Sequence, residues 1–259
     1  MSNYNMAKFI ESLPLTEEVA KFRPPYERRT TSEGTEGQLP DIDNLPDGVV
    51  AASTIVAFSP TLSPTLRSSV VLSLIAAEKV ADSDSLVVTP DLWVQRYNMV
   101  FKGLNWISLQ RGDLKQIQVS TNVAVHNAIV PFLTLALGPG AAATSLILSA
   151  VNQMKTMDEA TPWITLFDRE SRKFDVSEYR FATVDDQGGT VLLRMAAARF
   201  IAMQDRVQVL FFKFNDTNIS LSVSSATLAA SADLLQEING DLKNKLAGRT
   251  AAFLSDLNY

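Results

Sequence analysis

Cysteine is absent from this chain of 259 residues, and histidine occurs once, as His126. The lack of cysteine excludes disulfides, thiol nucleophiles, zinc–thiolate sites and iron–sulfur clusters. A Ser-His-Asp mechanism would depend on His126 alone, and that residue stands inside an apolar segment without an acidic neighbour in the sequence. We therefore predict no catalytic residue, no metal site and no cofactor.

Sequence motifs for nucleotide, metal or acyl-transfer chemistry are also lacking. The chain contains no Gly-x-Gly-x-x-Gly, no Walker A loop, no His-Glu-x-x-His and no Gly-x-Ser-x-Gly. Its formal charge is −5 and its pI about 5.0, with no Lys/Arg cluster beyond Arg28-Arg29. Because nucleic-acid binding usually requires a basic face, we expect no nucleic-acid partner.

The N-terminus lacks the pattern of a secretory signal peptide. From Met1 to Glu11 no basic segment is followed by an apolar one. We expect a protein that is synthesised in soluble form in the cytoplasm and whose release would take a non-classical or specialised route. The absence of cysteine would suit a chain that passes between compartments of different redox potential.

The most informative feature is a segment of 39 residues, 116–154, that contains no Asp, Glu, Lys or Arg. Its pattern predicts two apolar helices, Asn122 to Leu137 and Ala141 to Met154. A hinge of Gly138, Pro139 and Gly140 joins them. The residues predicted to contact membrane or lipid are Val130, Phe132, Leu133, Leu135, Leu137, Leu146, Ile147 and Leu148.

Three roles for this hairpin are open from the sequence: buried core, the lining of a lipid-sized cavity, or insertion into a membrane. Each arm has about 15 residues and would be roughly 20–24 Å long as a helix. The hydrocarbon core of a bilayer is about 30 Å thick. Pro131 is also expected to break or kink the first arm.

The N-terminal residues 1–47 are predicted to form an extended or partly disordered arm that precedes one domain, 48–259. Between Arg23 and Asp47 the composition shifts to proline, glycine and charged residues. Arms of this kind often become ordered by docking on another copy of the chain. A self-assembling structural protein, with residues 23–47 reaching a neighbouring subunit as a homo-oligomer, is therefore an alternative hypothesis.

Helices are predicted to dominate the first half of the domain. Ser63-Pro64 and Thr89-Pro90 each pair a capping side chain with proline at the first helical position. An apolar stripe at helical spacing after Thr89 predicts core, and it comprises Trp93, Tyr97, Val100, Phe101 and Leu104. Arg111-Gly112-Asp113 is expected to form the turn of a β-hairpin between the strands Trp106–Gln110 and Lys115–Ser120.

The second half changes to a period of two, which is typical of β-strands. The predicted strands are Trp163–Phe167, Tyr179–Val184, Val191–Ile201, Val207–Phe214 and Ile219–Ser224. Short polar and glycine-containing connections favour an antiparallel meander of about five strands. A long closing helix is predicted from Ser231 to about Leu257. The fold class is therefore α+β, with a helical N-terminal half, a central apolar hairpin and a C-terminal meander.

A hydrolase with paired carboxylates is the other alternative. Asp168, Glu170, Asp185 and Asp186 are predicted to lie near strand ends, where a general acid and a general base could meet. Turn chemistry alone accounts for Asp185-Asp186, which directly precede Gln187-Gly188-Gly189.

Several blocks of aromatic and small residues occur in a recognisable order. They are Val49–Ser53, the helix from Ser63, Trp93-x3-Tyr97, Asn105-Trp106, Trp163–Phe167, Gly188-Gly189, Phe211–Phe214 and the end at Asp256-Leu257. In this arrangement residues 48–257 resemble a family of small, leaderless, functionally uncharacterised proteins of bacteria and fungi. An apolar helix before an antiparallel sheet with aromatic strands also resembles pore-forming proteins of the actinoporin type. This chain differs from that type in its extra early helices, and neither resemblance assigns a role to a residue.

These observations favour a non-enzymatic interaction protein. Its concrete form is a released effector or virulence-type protein with affinity for a lipid or membrane surface, in which the hairpin 122–154 is the mobile apolar element.

Overall fold

The computed structural model describes residues 6–15, 41–83, 89–117, 125–139, 141–154, 161–173, 176–201, 220–247 and 250–257. Its helices are α1 (Met6–Ser12), α2 (Pro64–Asp82), α3 (Pro90–Gly103), α4 (Val125–Leu137), α5 (Ala142–Gln153), α6 (Pro162–Ser171) and α7 (Ala232–Leu246). Its strands are β1 (Gly48–Ala51), β2 (Thr54–Phe58), β3 (Ile107–Ile117), β4 (Arg172–Lys173), β5 (Val176–Asp186), β6 (Thr190–Ile201), β7 (Ser220–Ser231) and β8 (Leu254–Asp256). The predicted α+β class is confirmed.

One mixed sheet organises the described chain, with strand order β3-β7-β6-β5-β2-β1-β8, and β4 pairs with β5. Side chains alternate between its two faces, as the pleat requires. On β5, Tyr179 and Phe181 enter a core with α4, α5 and α6, which we call the hairpin layer. Ala182 and Val184 enter a core with α1, α2, α3 and α7, which we call the helical layer. The sheet is therefore covered by helices on both faces.

Both predicted helix starts in the first half are confirmed. The Ser63 hydroxyl accepts a hydrogen bond from the Leu66 amide at 3.4 Å, and the Thr89 hydroxyl accepts one from Leu92 at 3.3 Å. Proline occupies the first turn of both helices, where its missing N–H costs nothing. The aromatic stripe of α3 is buried as predicted.

The predicted hairpin turn at Arg111-Gly112-Asp113 is wrong. Strand β3 runs without interruption from Ile107 to Ile117 and pairs with β7 along its length. A two-residue hairpin turn would need positive φ angles, and Gly112 is not among the glycines that adopt one. Extra residues are absorbed instead as two β-bulges, between Ser108 and Gln110 and between Gly112 and Lys115.

The meander is confirmed for three consecutive antiparallel strands, β5, β6 and β7. Gly188 and Gly189 turn the chain between the first two with φ angles of +65° and +89°, and the Gly189 amide donates to the Asp186 carboxylate at 2.8 Å. The predicted strand Val207–Phe214 lies outside the described residues. The sequence reasoning missed the parallel pairing of β2 with β5, which joins the first half of the domain to the meander.

Two other predictions are corrected. The segment Trp163–Phe167 is part of helix α6 and not a strand; Pro162 opens the helix, and the apolar residues recur at helical spacing. The closing helix ends at Leu246 and not near Leu257. Beyond it, a short 3-10 helix (Thr250–Phe253) leads into β8, which pairs with β1.

The end of the N-terminal arm packs on its own chain. Leu45 is buried, and its carbonyl accepts a hydrogen bond from Arg67 Nη1 at 3.0 Å. Asp43 forms an ion pair with Lys243 of α7. Residues 16–40 lie outside the described part, so an assembly role for residues 23–47 and a domain boundary at Gly48 stay predictions.

Candidate functional site

The predicted apolar hairpin is present as α4 and α5, and neither helix contains Asp, Glu, Lys or Arg. Helix α4 continues through Pro131, so the proline does not end it. At the predicted hinge Gly138 has a φ angle of +98°, a conformation that other residues rarely adopt. Gly140 lies outside the described residues. The hairpin forms the outer layer over the sheet, with α4 over β6 and β7 and α5 over β2 and β5.

Burial divides the predicted lipid-contacting residues into three groups. Leu133, Leu137 and Ile147 are buried against the sheet and within the hairpin. Leu135 points outward with 79% of its surface exposed. The remaining residues are half-buried: Val130, Phe132, Leu146 and Leu148. The outer side of α4 thus exposes the apolar residues Pro131 and Leu135, whereas α5 exposes the polar residues Ser145 and Asn152.

Two threonine hydroxyls hold the hinge end of α4. Thr144 of α5 donates to the Leu137 carbonyl at 3.1 Å and to the Gly138 carbonyl at 2.8 Å. Thr183 of β5 donates to the same Leu137 carbonyl at 3.2 Å. Carbonyl groups at a helix C-terminus have no partner within the helix, and here the sheet and the second arm supply partners. These are the polar contacts that an opening hairpin would have to break at this end.

A buried ion network lies on the other face of the sheet, beneath α3. The Arg180 side chain of β5 hydrogen-bonds Ser53 Oγ at 2.8 Å and Glu178 Oε1 at 2.5 Å. Arg199 of β6 donates to the other oxygen of Glu178 at 2.8 Å. Glu78 of α2 accepts from the Ser53 hydroxyl at 2.6 Å and lies 3.9 Å from Arg180. The network thus connects the β1–β2 turn, two strands of the meander and α2.

Aromatic rings cover this network from the helical layer. The Arg180 guanidinium lies 4.4 Å from the ring centre of Trp93 and 4.9 Å from that of Tyr97. Burial raises the pKa of the Tyr97 hydroxyl well above its ordinary value. Tyr97 therefore stays protonated and contributes its ring, not a reactive phenolate.

Three carboxylates come together beside the network. Oxygens of Glu78, Asp82 and Glu170 lie within 4.8 Å of one another. Oxygen ligands at such spacing suit a hard divalent cation. Each carboxylate also has a protein donor: Ser53 for Glu78, Trp93 Nε1 for Asp82 and Arg169 for Glu170. Protein hydrogen bonds and arginine charge account for this cluster without an ion.

Acid is expected to weaken the fold through Glu178. Burial alone would raise the pKa of Glu178, but Arg180 and Arg199 outweigh it and hold that pKa below its ordinary value. The stabilisation is therefore present above the unfolded-state pKa, near 4.3, and is lost as pH falls through the lower folded-state pKa. Urea denaturation from neutral pH to about pH 3 should show a falling free energy of unfolding below about pH 5.

The matched variant for this pH dependence is Glu178→Gln. It should be less stable at neutral pH and lose less stability on acidification than the parent. Burial raises the pKa of Asp256. Its contribution to the free energy of unfolding therefore rises as pH falls, in the parent and in the variant alike. Parallel acid profiles of the parent and the variant would show that Glu178 is not the responsible group.

The carboxylates proposed for a hydrolase do not form one site. Asp168 and Glu170 lie on α6, and Asp168 accepts from the Tyr179 hydroxyl at 3.0 Å near the start of β5. Asp185 and Asp186 are at the other end of that strand, in the turn to β6. Seven residues of strand between Tyr179 and Asp186 amount to roughly 23 Å, whereas hydrolytic carboxylate pairs lie about 5–9.5 Å apart. His126 lies in the first turn of α4.

No helix of the described residues combines the length and the apolar character needed to cross a membrane. No protein-family model matches the sequence, and no curated protein sequence matches it.

Solved structures with a likeness to the chain include a delta-endotoxin, at 13% identity and a TM-score of 0.45, covering 83% of this chain and 94% of that one. Activated Cyt2Ba from Bacillus thuringiensis subsp. israelensis matches at 14% identity with a TM-score of 0.41, and the match covers 68% of this chain and 96% of Cyt2Ba. The Evf virulence factor matches at 9% identity with a TM-score of 0.38, and the match covers 78% of this chain and 84% of Evf. At these identities and scores the likeness assigns neither a ligand nor an activity to this chain.

Proposed function

We propose that the protein is a non-enzymatic, membrane-active effector whose α4–α5 hairpin contacts lipid. The observation that carries this proposal is a two-helix layer on the outside of the sheet that has no Asp, Glu, Lys or Arg and that exposes apolar residues on α4. Leu135 is exposed near the hinge end of α4, and half-buried apolar residues of both helices pack on the core beneath the hairpin. Helices that only cover a core usually carry charged residues on their outer side, and these two helices contain no Asp, Glu, Lys or Arg.

The attachment of the hairpin suits a displaceable element. Its inner contacts are apolar, and apolar contacts with the sheet can be exchanged for apolar contacts with lipid at little cost. The polar contacts described at the hinge end are those of Thr144 and Thr183 with the end of α4. At about 20 Å, each helix is long enough to reach into one leaflet of a bilayer.

Vesicle flotation with dye release tests the proposal. The protein is mixed with vesicles of phosphatidylcholine alone and of phosphatidylcholine with phosphatidylserine, at neutral and acidic pH. We expect the parent protein to float with vesicles and release dye. Leu135→Asp should reduce both signals, because it places a charge on the exposed outer side of α4 near its hinge end.

The control is Gln236→Asp, which adds the same charge at an exposed position of α7 in the helical layer. It should bind and release dye as the parent does. A parent protein that neither floats nor releases dye under any of these conditions would overturn the proposed function.

A further inference from the structure

Strand β3 forms one edge of the sheet and carries exposed apolar residues. Among the described strands it stands at the end of the order and pairs with β7 alone. Ile107 is 63% exposed and Leu109 60% exposed. Together with Leu135, they are three of the four large apolar residues that are exposed in the described chain. Exposed apolar residues collected on one element often mark an interaction surface.

The bulges of β3 decide what kind of partner this edge suits. Leu109 is the extra residue of the first bulge: Ser108 is opposite Leu228 and Gln110 opposite Thr227, which leaves Leu109 without a cross-strand partner. Bulges redirect side chains and interrupt the regular ladder that another strand would need. The edge therefore disfavours strand pairing with a second chain while it presents Leu109 to the outside.

The charge of this edge has the sign opposite to that of the whole protein. Arg111 and Lys115 are exposed on β3, and Asp113 is the strand's one acidic residue. The strand thus has a formal net charge of +1 in a chain of −5. The hairpin has no basic residue of its own. Arg111 and Lys115 of β3 are therefore exposed basic groups that can attract an anionic surface next to the uncharged hairpin.

The edge also continues the outer surface of the hairpin. Helix α4 packs over β6 and β7, so it is the arm nearer to β3. Ile107 pairs with Ala229, and Lys115 pairs with Val223, a residue of the core beneath the hairpin. Because paired residues share a face of the sheet, Ile107 and Lys115 lie on the hairpin side. Arg111 pairs with Ala226, which pairs with Met195 of the helical-layer core, so it lies on the other face of this edge strand.

We propose that β3 is the docking edge for an anionic lipid surface, with Arg111 and Lys115 binding headgroups and Ile107 and Leu109 entering the apolar boundary. This inference rests on the proposed function and names the lipid class and the residues that make first contact. Long basic side chains can reach a charged surface from a strand edge while their stems cover apolar groups. The hairpin, adjacent and uncharged, then contacts the same membrane.

Binding constants for the two vesicle compositions test the inference. Each basic residue near an anionic surface contributes about fivefold to binding. Arg111→Gln with Lys115→Gln should therefore lower binding to phosphatidylserine-containing vesicles by about twenty- to thirtyfold and leave binding to neutral vesicles unchanged. Ile107→Ser with Leu109→Ser should weaken binding to both. The matched control, Lys8→Gln with Lys245→Gln, makes the same charge change in the helical layer and should change binding less than about twofold.

The outcomes separate this inference from the proposed function. Thermal unfolding first establishes that each variant is folded, as expected because the four β3 residues are exposed and the hydrogen bond from Lys245 to the Glu11 carbonyl lies at the surface. Equal binding of the parent to both compositions, or parent-like binding by both β3 variants while Leu135→Asp loses it, overturns the docking edge and leaves the hairpin as the lipid contact. Absence of parent binding to any vesicle overturns both.

Discussion

Replacing Arg180 with methionine should lower the free energy of unfolding by about 3–5 kcal/mol, because removal of one partner leaves the other charges of a buried ion network uncompensated. Arg180 is the group that contacts both Glu178 and Ser53 and approaches Glu78. Methionine keeps the length and the apolar stem beneath Trp93 and removes the charge. Urea denaturation at neutral pH, followed by circular dichroism, measures the change.

Two further variants test the reason for this loss. Arg199, the outer partner of Glu178, has a side chain that is 22% exposed. Arg199→Met should cost less than half as much as Arg180→Met, because Arg180 still neutralises Glu178. Adding Glu178→Gln to Arg180→Met should restore part of the stability, since it removes a buried charge that has lost a partner. A loss below about 1 kcal/mol for Arg180→Met would contradict the network's structural role.

Leu133→Asp should prevent stable folding of the hairpin layer, with a loss of more than about 4 kcal/mol. Leu133 is 0% exposed and packs in the core beneath the hairpin. Leu135→Asp, two positions along the same helix, should change stability by no more than about 0.5 kcal/mol, because that side chain is largely in solvent. Chemical denaturation of the two proteins, side by side, compares the same substitution on opposite sides of α4.

The comparison also separates two roles of the hairpin. If Leu135→Asp abolished folding, the outer side of α4 would be core, and the lipid-contact proposal would lose its basis. If Leu133→Asp folded with parent stability, the inner side would not be packed as described. The expected result gives an inner side that serves stability and an outer side that is free to bind.

The sequence was sufficient for elements with strong local signals. The capping residues Ser63 and Thr89, the aromatic stripe of α3 and the glycine turn at Gly188-Gly189 depend on neighbours within a few residues, and the structure agrees with them. Trp163–Phe167 failed because a short apolar run fits both a strand and a buried helix. The turn predicted at Gly112 failed because bulges in a long edge strand leave no clear sequence signal.

The ion network could not have been predicted from one sequence. Its members come from the β1–β2 turn, α2, β5 and β6, and only the parallel pairing of β2 with β5 brings Ser53 next to Arg180. The available signal was indirect: Glu78 stands among alanines and aliphatic residues on a buried helix, and a buried charge requires a partner. The hairpin was predictable because its signal, the absence of charge, is local. Its division into inner and outer sides needed the position of the sheet.

The order of the elements along the chain has a consequence for biosynthesis. Helices α4 and α5 are complete at Gln153, but the strands that form most of their docking surface, β5 and β6, extend from Val176 to Ile201. The 39 uncharged residues 116–154 therefore leave the ribosome before the surface that covers them exists. Exposed apolar segments of incomplete chains aggregate, and pairings between distant segments form slowly. The yield of soluble protein should thus depend on chaperone protection of the nascent hairpin and on the rate of sheet closure, more than on the stability of the finished fold.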